Sequence, residues 1–536
     1  MAYAITQTCC TDASCIAACP VNCIHPTPDE PDFGSTEMLY VDPSTCIDCG
    51  ACADACPVDA VFPVDRLTGS LKAYADINAE YYAKRDTGAD SAAETTSETA
   101  SNTATTESKP KPSPNFHSWS PPVFDRVIPS DFAPLDVAVV GTGPAGMYAV
   151  EDLLLHTNSR VTLLDRLPVA GGLVRYGVAP DHPSTRRIGE TFARFHTHPR
   201  LRMRLGVEVG RDVSAEELAS RHDAVIYAVG ASSARELGVA GEDLAGSVSA
   251  TSVVSWYNGH PDAVADAVDL SAERVVVVGN GNVALDVARV LTTDPDRLAD
   301  TPISPRALRQ LRSSRVREVV LLGRRGPEHA AYTRPELLEL VQRDDIELVV
   351  DTHDPRIAPT IDAADNDDKA GLLRELGRES VDWSAPAGGA GTSGRKRIVL
   401  RFHSAPVELV GETEVRGIRA GAGDRDVEIP AGLVVKAVGY RGVPLPGLPF
   451  DERTATVPNS AGRVSDRPGT YVVGWIKRGP SGGIGANRAC AKETVGTLLD
   501  DAVAGRLTEP SARNSGMDGP LSRLRAKLSG GAARLG

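Results

Sequence analysis

From Leu135 onward the chain alternates short runs of Val, Leu and Ile with longer stretches in which apolar residues recur at helical spacing, the pattern of parallel sheets covered by helices. Strands are predicted over 136–140, 160–164, 274–278 and 318–322, each a near-continuous apolar run of the kind buried on both faces. A helix follows the first run to about His156, and another opens after the third. Residues 292–316, between that helix and the fourth strand, are read as an inserted helix and loop. Residues 1–83 show little periodicity. The stretch 84–115 is rich in Ser, Thr, Ala and Glu and nearly free of large apolar side chains, so it cannot bury enough surface to offset ordering entropy and is read as a disordered linker. Residues 362–396 read as a flexible insertion and 506–536 as a basic tail, with no chemistry assigned to either. Nowhere does an apolar run reach the roughly 18–20 residues that span a bilayer, which argues against membrane insertion.

At 536 residues the chain is too long for one core and divides into several domains. The formal charge of −14 argues against nucleic acid as a partner. That charge is uneven: residues 1–82 carry twelve Asp/Glu against only Arg66 and Lys72. Such an acidic module steers towards basic faces, and Lys477, Arg478 and nearby cations are the expected docking face. The N-terminus lacks a charged segment followed by an apolar one, so no secretory signal is read and a cytoplasmic location is expected.

Cysteine is more uneven still, with nine of ten before residue 57 and the tenth at Cys490. The run Cys46-Ile-Asp-Cys49-Gly-Ala-Cys52-Ala-Asp-Ala-Cys56-Pro57 is C-x2-C-x2-C-x3-C-P, which resembles the bacterial two-cluster ferredoxins, where the fourth cysteine serves the other cluster. Zinc or disulfides are the alternatives, and neither needs that last cysteine–proline step. The partner half is Cys9-Cys10-x4-Cys15-x3-Cys19-Pro20-x2-Cys23. Pairing by pseudo-symmetry gathers Cys19, Cys46, Cys49 and Cys52 around one [4Fe–4S] cluster and Cys9, Cys15 and Cys56 around a second. The x2 spacings are read as lost before Cys15. With three clear ligands the second site resembles the [3Fe–4S] site of seven-iron ferredoxins, while Cys10 as a fourth ligand would make it [4Fe–4S]. Cys23 is expected beside a cluster without ligating it.

After the first strand comes Gly141-Thr-Gly143-Pro144-Ala145-Gly146, opening a helix. Glycines there allow a tight turn and close approach of a pyrophosphate to a helix N-terminus. The next strand ends at Asp165, where an acid accepts a ribose 2′-OH. The third strand leads into Gly279-Asn280-Gly281-Asn282-Val283-Ala284, a second dinucleotide loop. Its following strand ends at Gly323-Arg324-Arg325-Gly326 with two arginines in place of an acid, which favours the 2′-phosphate of NADP over NAD.

Two stretches make the resemblance specific. Gly171-Gly-Leu173-Val-Arg-Tyr-Gly-Val-Ala-Pro-Asp-His182-Pro183 and Gly474-Trp475-Ile-Lys-Arg-Gly-Pro-Ser-Gly482-Gly483-Ile484 are similar to the signatures of adrenodoxin-reductase-type ferredoxin–NADP reductases. With the cysteine module in front, the chain resembles ferredoxin-fused NADPH–ferredoxin reductases. The implied fold is an α+β two-cluster ferredoxin followed by an α/β reductase with two Rossmann-like dinucleotide-binding domains. The implied map is a ferredoxin domain at 1–83, an FAD-binding domain at 116–243 and 440–505, and an NADP-binding domain at 244–439. By the same resemblance Asp165, Leu173, Val209, Trp475 and Gly482 to Ile484 touch FAD. Glu336 contacts the nicotinamide-side ribose, and Glu339 pairs with His182 in a positional, proton-balancing role.

The implied electron path runs from NADPH as a hydride to FAD, then singly to the clusters, and on to an external ferredoxin or haem monooxygenase system. A random linker of about 30 residues has a span of roughly 30 Å and keeps the module at near-millimolar effective concentration. Two other readings compete: an electron-delivering subunit like the small subunit of glutamate synthase, and a non-catalytic iron–sulfur redox sensor.

Overall fold

The computed structural model describes residues 2–87, 128–365, 368–388, 394–422, 425–507 and 510. Most of the expected linker and nearly all of the tail lie outside the described residues. Among the described residues no helix is long and apolar enough to cross a membrane.

The N-terminal module is built from two copies of one short unit. Strand Tyr3–Ile5, helix Ser14–Ala18 and strand Ile24–His25 are repeated as Tyr40–Val41, Ala51–Ala55 and Val61–Pro63. The outer strands pair antiparallel, Tyr3 opposite Pro63, and the inner ones pair at Ile24 and Val41. Such short pairs cannot stand alone, and helix Ala73–Thr87 packs across them. Its buried Asn78 pins both copies: Oδ1 accepts from Ile5 N–H at 3.1 Å and Val41 N–H at 2.8 Å, and Nδ2 donates to Ile5 C=O at 2.8 Å. This helix runs to Thr87, four residues into the stretch expected to be linker.

The remainder forms two parallel-sheet domains, as the apolar runs predict. In the first, strands Thr470–Val472, Ala224–Tyr227, Asp136–Val140, Arg160–Asp165 and Leu201–Leu205 lie side by side in parallel, and two short antiparallel strands extend the 470–472 edge. In the second, seven parallel strands run in the order 247–249, 433–436, 274–278, 318–322, 396–401, 346–351, 377–379. The chain crosses between domains twice, and the crossings pair with each other at Ser233–Ala234 and Tyr440–Arg441. Residues 292–316 hold two short helices, Pro295–Leu298 and Pro305–Arg312.

The segment 362–396 is not simply a flexible insertion. Gly377–Glu379 extends the second sheet beside Val349–Asp351, Leu373 is fully buried, and Trp383 is buried with the guanidinium groups of Arg274 and Arg401 at 5.4 and 5.6 Å from its ring centroid. Its high Asp, Gly and Ala content hides these anchors; residues 389–393 lie outside the described ones.

Candidate functional site

Each short helix of the cysteine module presents its sulfurs in the same way. Cys15 and Cys52 sit buried within the helices, and Cys19 and Cys56 cap their C-termini with φ −75° and ψ 116° and 117°. An extended cap aims the last sulfur away from its own helix, which lets the halves exchange one cysteine. Cys19, Cys46, Cys49 and Cys52 line one cavity, with Cys23 beside them at 3.4 Å from Cys19 Sγ. Burial, followed by Cys46, pushes Cys52 up to about 11.

Cys9, Cys10, Cys15 and Cys56 form the second group. Burial pushes the Cys9 thiol up to about 11 and raises Cys10, Cys15 and Cys56 as well. Thr11 N–H and Ala60 N–H donate to Cys9 Sγ and Cys56 Sγ at 3.4 and 3.2 Å. Desolvated thiols that already receive backbone N–H bonds lack only a positive counter-charge, which an iron core supplies. The second group therefore fits an iron–sulfur cluster, and the four sulfurs that line one cavity in the first group fit another.

The reading that regular spacing fails before Cys15 needs correction. Positive φ recurs at Thr11 and Asp48 (53° and 59°), Ala13 and Gly50 (64° and 76°), and Asn22 and Asp59 (51° and 49°). In that register Cys9 answers Cys46, Cys15 answers Cys52, and Asp12 answers Cys49. The first half is thus C-x2-D-x2-C-x3-C-P, a repeat hidden by one substitution. Cys10 answers Ile47, which holds no ligand.

The first glycine loop is closed tightly enough to exclude side chains. A Cβ on Gly141 (φ 112°) would lie 2.4 Å from Ala228 O, and one on Gly146 would lie 2.0 Å from Gly141 O. Asp165 Oδ2 accepts from Thr142 N–H at 2.8 Å and from Thr142 Oγ1 at 2.5 Å, while Oδ1 accepts from Leu167 N–H at 2.9 Å. Thr142 Oγ1 in turn receives Gly171 N–H at 3.1 Å. The carboxylate braces the loop, and Oδ1 keeps acceptor capacity for a hydroxyl. The stretch starting at Gly171 folds back on the loop, since a Cβ on Gly172 would lie 2.6 Å from Gly143 Cα. Leu173 stands there 38% exposed, whereas Val209 is buried. The other signature arrives from below: a Cβ on Gly474 would be 2.5 Å from Ala145 Cβ, and Trp475 Nε1 donates to Ser481 C=O at 3.1 Å. Gly482, Gly483 and Ile484 then lead into helix Ala486–Val503.

The second loop is held differently. Asn280 Oδ1 accepts from Ala331 N–H at 3.3 Å, and Asn282 Oδ1 accepts from Thr333 N–H at 2.8 Å. These bonds set the start of helix Arg334–Val341, which carries Glu336 and Glu339. Gly281 and Val283 lie in the same loop and helix start. Arg324 and Arg325 are exposed at the adjacent strand end and, among the described residues, pair with no carboxylate.

Between the loops the structure places a residue that sequence reasoning missed. Arg289, fully buried, donates through Nε to Asp181 at 2.7 Å and through Nη2 to Asp286 at 2.7 Å, and its Nη2 lies 2.5 Å from His182 Nε2. Its Nη1 lies 3.6 Å from Glu336. The expected His182–Glu339 pair is 3.7 Å apart, longer than a hydrogen bond. Burial opposes the charge on Arg289, but Asp286 and Asp181 hold it protonated. Burial and then Asp286 push Glu336 up to about 7, against the pull of His182 and Arg289. His182, Glu336 and Glu339 offer ligand atoms within 4.8 Å of one another, and Arg289 supplies the positive charge there. The clue was local: Asp286 and Arg289 are three apart on the helix that the second loop opens.

The cysteine module sits across both reductase domains, but not on the expected cations. Lys477 pairs with Glu493, and Arg478 bonds Ser481 and Asn487. Docking instead uses Arg488 to Asp12 at 3.0 Å, Arg334 to Glu80 at 3.6 Å, Lys369 to Glu37 at 3.3 Å, and Arg187 to Asp59. Gly485 N–H donates to Cys10 C=O at 2.8 Å, one residue beyond Ile484. A Cβ on Gly485 would come within 2.2 Å of Thr11 C and O, so only glycine admits this approach.

The profile of the family described as pyridine nucleotide-disulphide oxidoreductase matches residues 135–348, and that of the 4Fe-4S binding domain matches 39–62. The chain is 47% identical over 528 residues to a probable ferredoxin/ferredoxin–NADP reductase of Mycobacterium tuberculosis, covering 97% of this chain and 87% of the relative. It is 44% identical over 388 residues to NADPH-ferredoxin reductase FprA of the same organism, covering 68% and 84%. Among solved structures, Mycobacterium tuberculosis FprA in complex with NADPH aligns with TM-score 0.64 at 40% identity, over 74% of this chain and 90% of that one.

Proposed function

This chain belongs to the ferredoxin/ferredoxin–NADP reductases, and from that premise we propose that it oxidises NADPH and delivers electrons to clusters of its own N-terminal module, then to an external ferredoxin or haem monooxygenase system. FAD, when bound, would supply the conversion of a hydride into single electrons, chemistry that side chains do not supply. Gly141, Gly143, Pro144, Ala145 and Gly146 receive its pyrophosphate, with Asp165, Leu173, Val209, Trp475 and Gly482 to Ile484 completing the site. Asn280, Gly281, Asn282 and Val283 take the NADP pyrophosphate, and Arg324 and Arg325 its 2′-phosphate. Glu336 would face the nicotinamide-side ribose; His182, which Arg289 contacts, and Glu339, 3.7 Å from His182, would hold charge and protons in balance there.

The observation that carries the reading is the hydrogen bond from Gly485 to Cys10, because it sets the Cys9, Cys15 and Cys56 group against the loop that follows Gly482 to Ile484. Cys9, Cys15 and Cys56 would hold a [3Fe–4S] cluster on that side, where it would serve as the entry point for electrons. Cys19, Cys46, Cys49 and Cys52 would hold a [4Fe–4S] cluster as the exit, beside Ile47, which is 58% exposed. Anaerobic titration with NADPH tests this, followed optically for flavin and by EPR for clusters. Flavin bleaching followed by cluster reduction is expected. A preference for NADH, or bleached flavin with clusters left oxidised, overturns it.

A further inference from the structure

The position that supplies a thiolate in the second half of the cysteine module supplies a carboxylate in the first. Asp12 lies at the place of Cys49, between flanking residues of matching positive φ, and is buried at 8% exposure. Its carboxylate is engaged: Oδ2 accepts from Arg488 Nη1 at 3.0 Å and Ser14 Oγ at 2.5 Å, and Oδ1 accepts from Ser14 N–H at 3.3 Å. Arg488 also donates to Asp12 C=O at 3.3 Å and Ser14 Oγ at 2.7 Å. It belongs to helix Ala486–Val503 of the reductase, and its guanidinium lies over the Tyr148 ring, 5.8 Å from the centroid.

We propose that Arg488, supplied by the reductase, holds the Asp12 carboxylate off the flavin-side cluster and so keeps that cluster at three irons. This rests on the reading that the module binds clusters. To reach a fourth iron the carboxylate, itself buried, must leave a charge-assisted pair with the half-exposed Arg488, and it brings a hard oxygen where iron–sulfur cores favour soft thiolates. Held as it is, the second ligand position donates to no iron, and Cys9, Cys15 and Cys56 retain a three-iron core. Cys10 stands at the non-ligand position of Ile47, with its carbonyl committed to Gly485. Because the arginine comes from the reductase, iron content is coupled to docking. Conversion to a cubane adds one ferrous ion and one electron to the oxidised three-iron core, the electron coming from NADPH through the flavin.

The test uses full-length protein purified anaerobically, with EPR and iron analysis before and after incubation with ferrous salt and NADPH. Wild type is expected to show the signal of an oxidised three-iron cluster and to keep it after incubation and reoxidation. Asp12→Cys loses the signal and gains about one iron per chain. Arg488→Gln loses the signal only after ferrous iron is added, and Cys10→Ser keeps it throughout. The proposal is overturned if wild type lacks the signal, if Asp12→Cys retains it, if Cys10→Ser loses it, or if wild type takes up iron as readily as Arg488→Gln. Should Asp12→Cys assemble no cluster, the other two variants decide. Flavin bleaching by NADPH on the same samples reports separately on the reductase reading.

Discussion

The two cysteine loops of the module share a backbone and meet opposite surroundings. Residues 9–15 lie under the reductase, with Cys10 bonded to Gly485 and Asp12 to Arg488. Residues 46–52 face outward, with Ile47 58% exposed and Cys49 and Asp48 exposed beside it. A duplicated fold offers two equivalent ends, and the asymmetry of an inlet and an outlet is imposed by what covers one of them.

The harshest way to break that contrast is to fill the space at Gly485. Gly485→Val forces the 9–15 loop away, at an overpacking cost worth about 10- to 100-fold in docking. Cluster reduction, measured by stopped flow relative to flavin reduction in the same traces, should fall by that order. Unchanged relative rates would show that the docked arrangement is not the transferring one. Removing Arg324 and Arg325 together sharpens the contrast from the far end. KM for NADPH should rise about 10- to 100-fold as paired charge-assisted bonds are lost, while flavin-to-cluster transfer keeps its rate. Salt separates the loops more gently. Raising ionic strength from about 0.05 to about 0.5 M should slow delivery to an external acceptor several-fold, yet change internal transfer by less than about twofold, because the tether and buried contacts persist.

The smallest effect concerns Glu336. Its carboxyl is raised from an ordinary 4.5 to about 7 in the fold, so the native state binds the proton more tightly than the unfolded one. Stability from this group is complete below pH 4.5 and declines as pH rises to about 7. Glu336→Gln should flatten that decline, by about 1–3 °C in melting temperature between pH 5 and 8.

Much of this was legible in the sequence because the signals are local. Strands buried on both faces leave unbroken Val and Leu runs, such as 274–278, and dinucleotide loops need glycine where Ala228 O or Ala437 O stands within 2.4 Å of a would-be Cβ. What escaped depends on segments distant in the chain. Arg289 draws partners from 181–182, 286 and 336, and only folding shows that they converge. The docking cations escaped because a basic pair such as Lys477 and Arg478 looks available until Glu493 and Ser481 are seen to use it. Asp12 was hidden because it breaks a cysteine pattern while preserving its spacing.

The cluster of acids around Arg289 has a bearing on direction. Asp181, Asp286, Glu336 and Glu339 lie around the Arg289 guanidinium, with Arg186 and Arg343 also within electrostatic reach of Asp181. A nicotinamide ring is neutral while it holds its hydride and cationic once it has lost it. With the nicotinamide set beside Glu336 as proposed, the carboxylates would favour the oxidised ring and the guanidinium groups the reduced one, so their balance would set which way the first exchange leans.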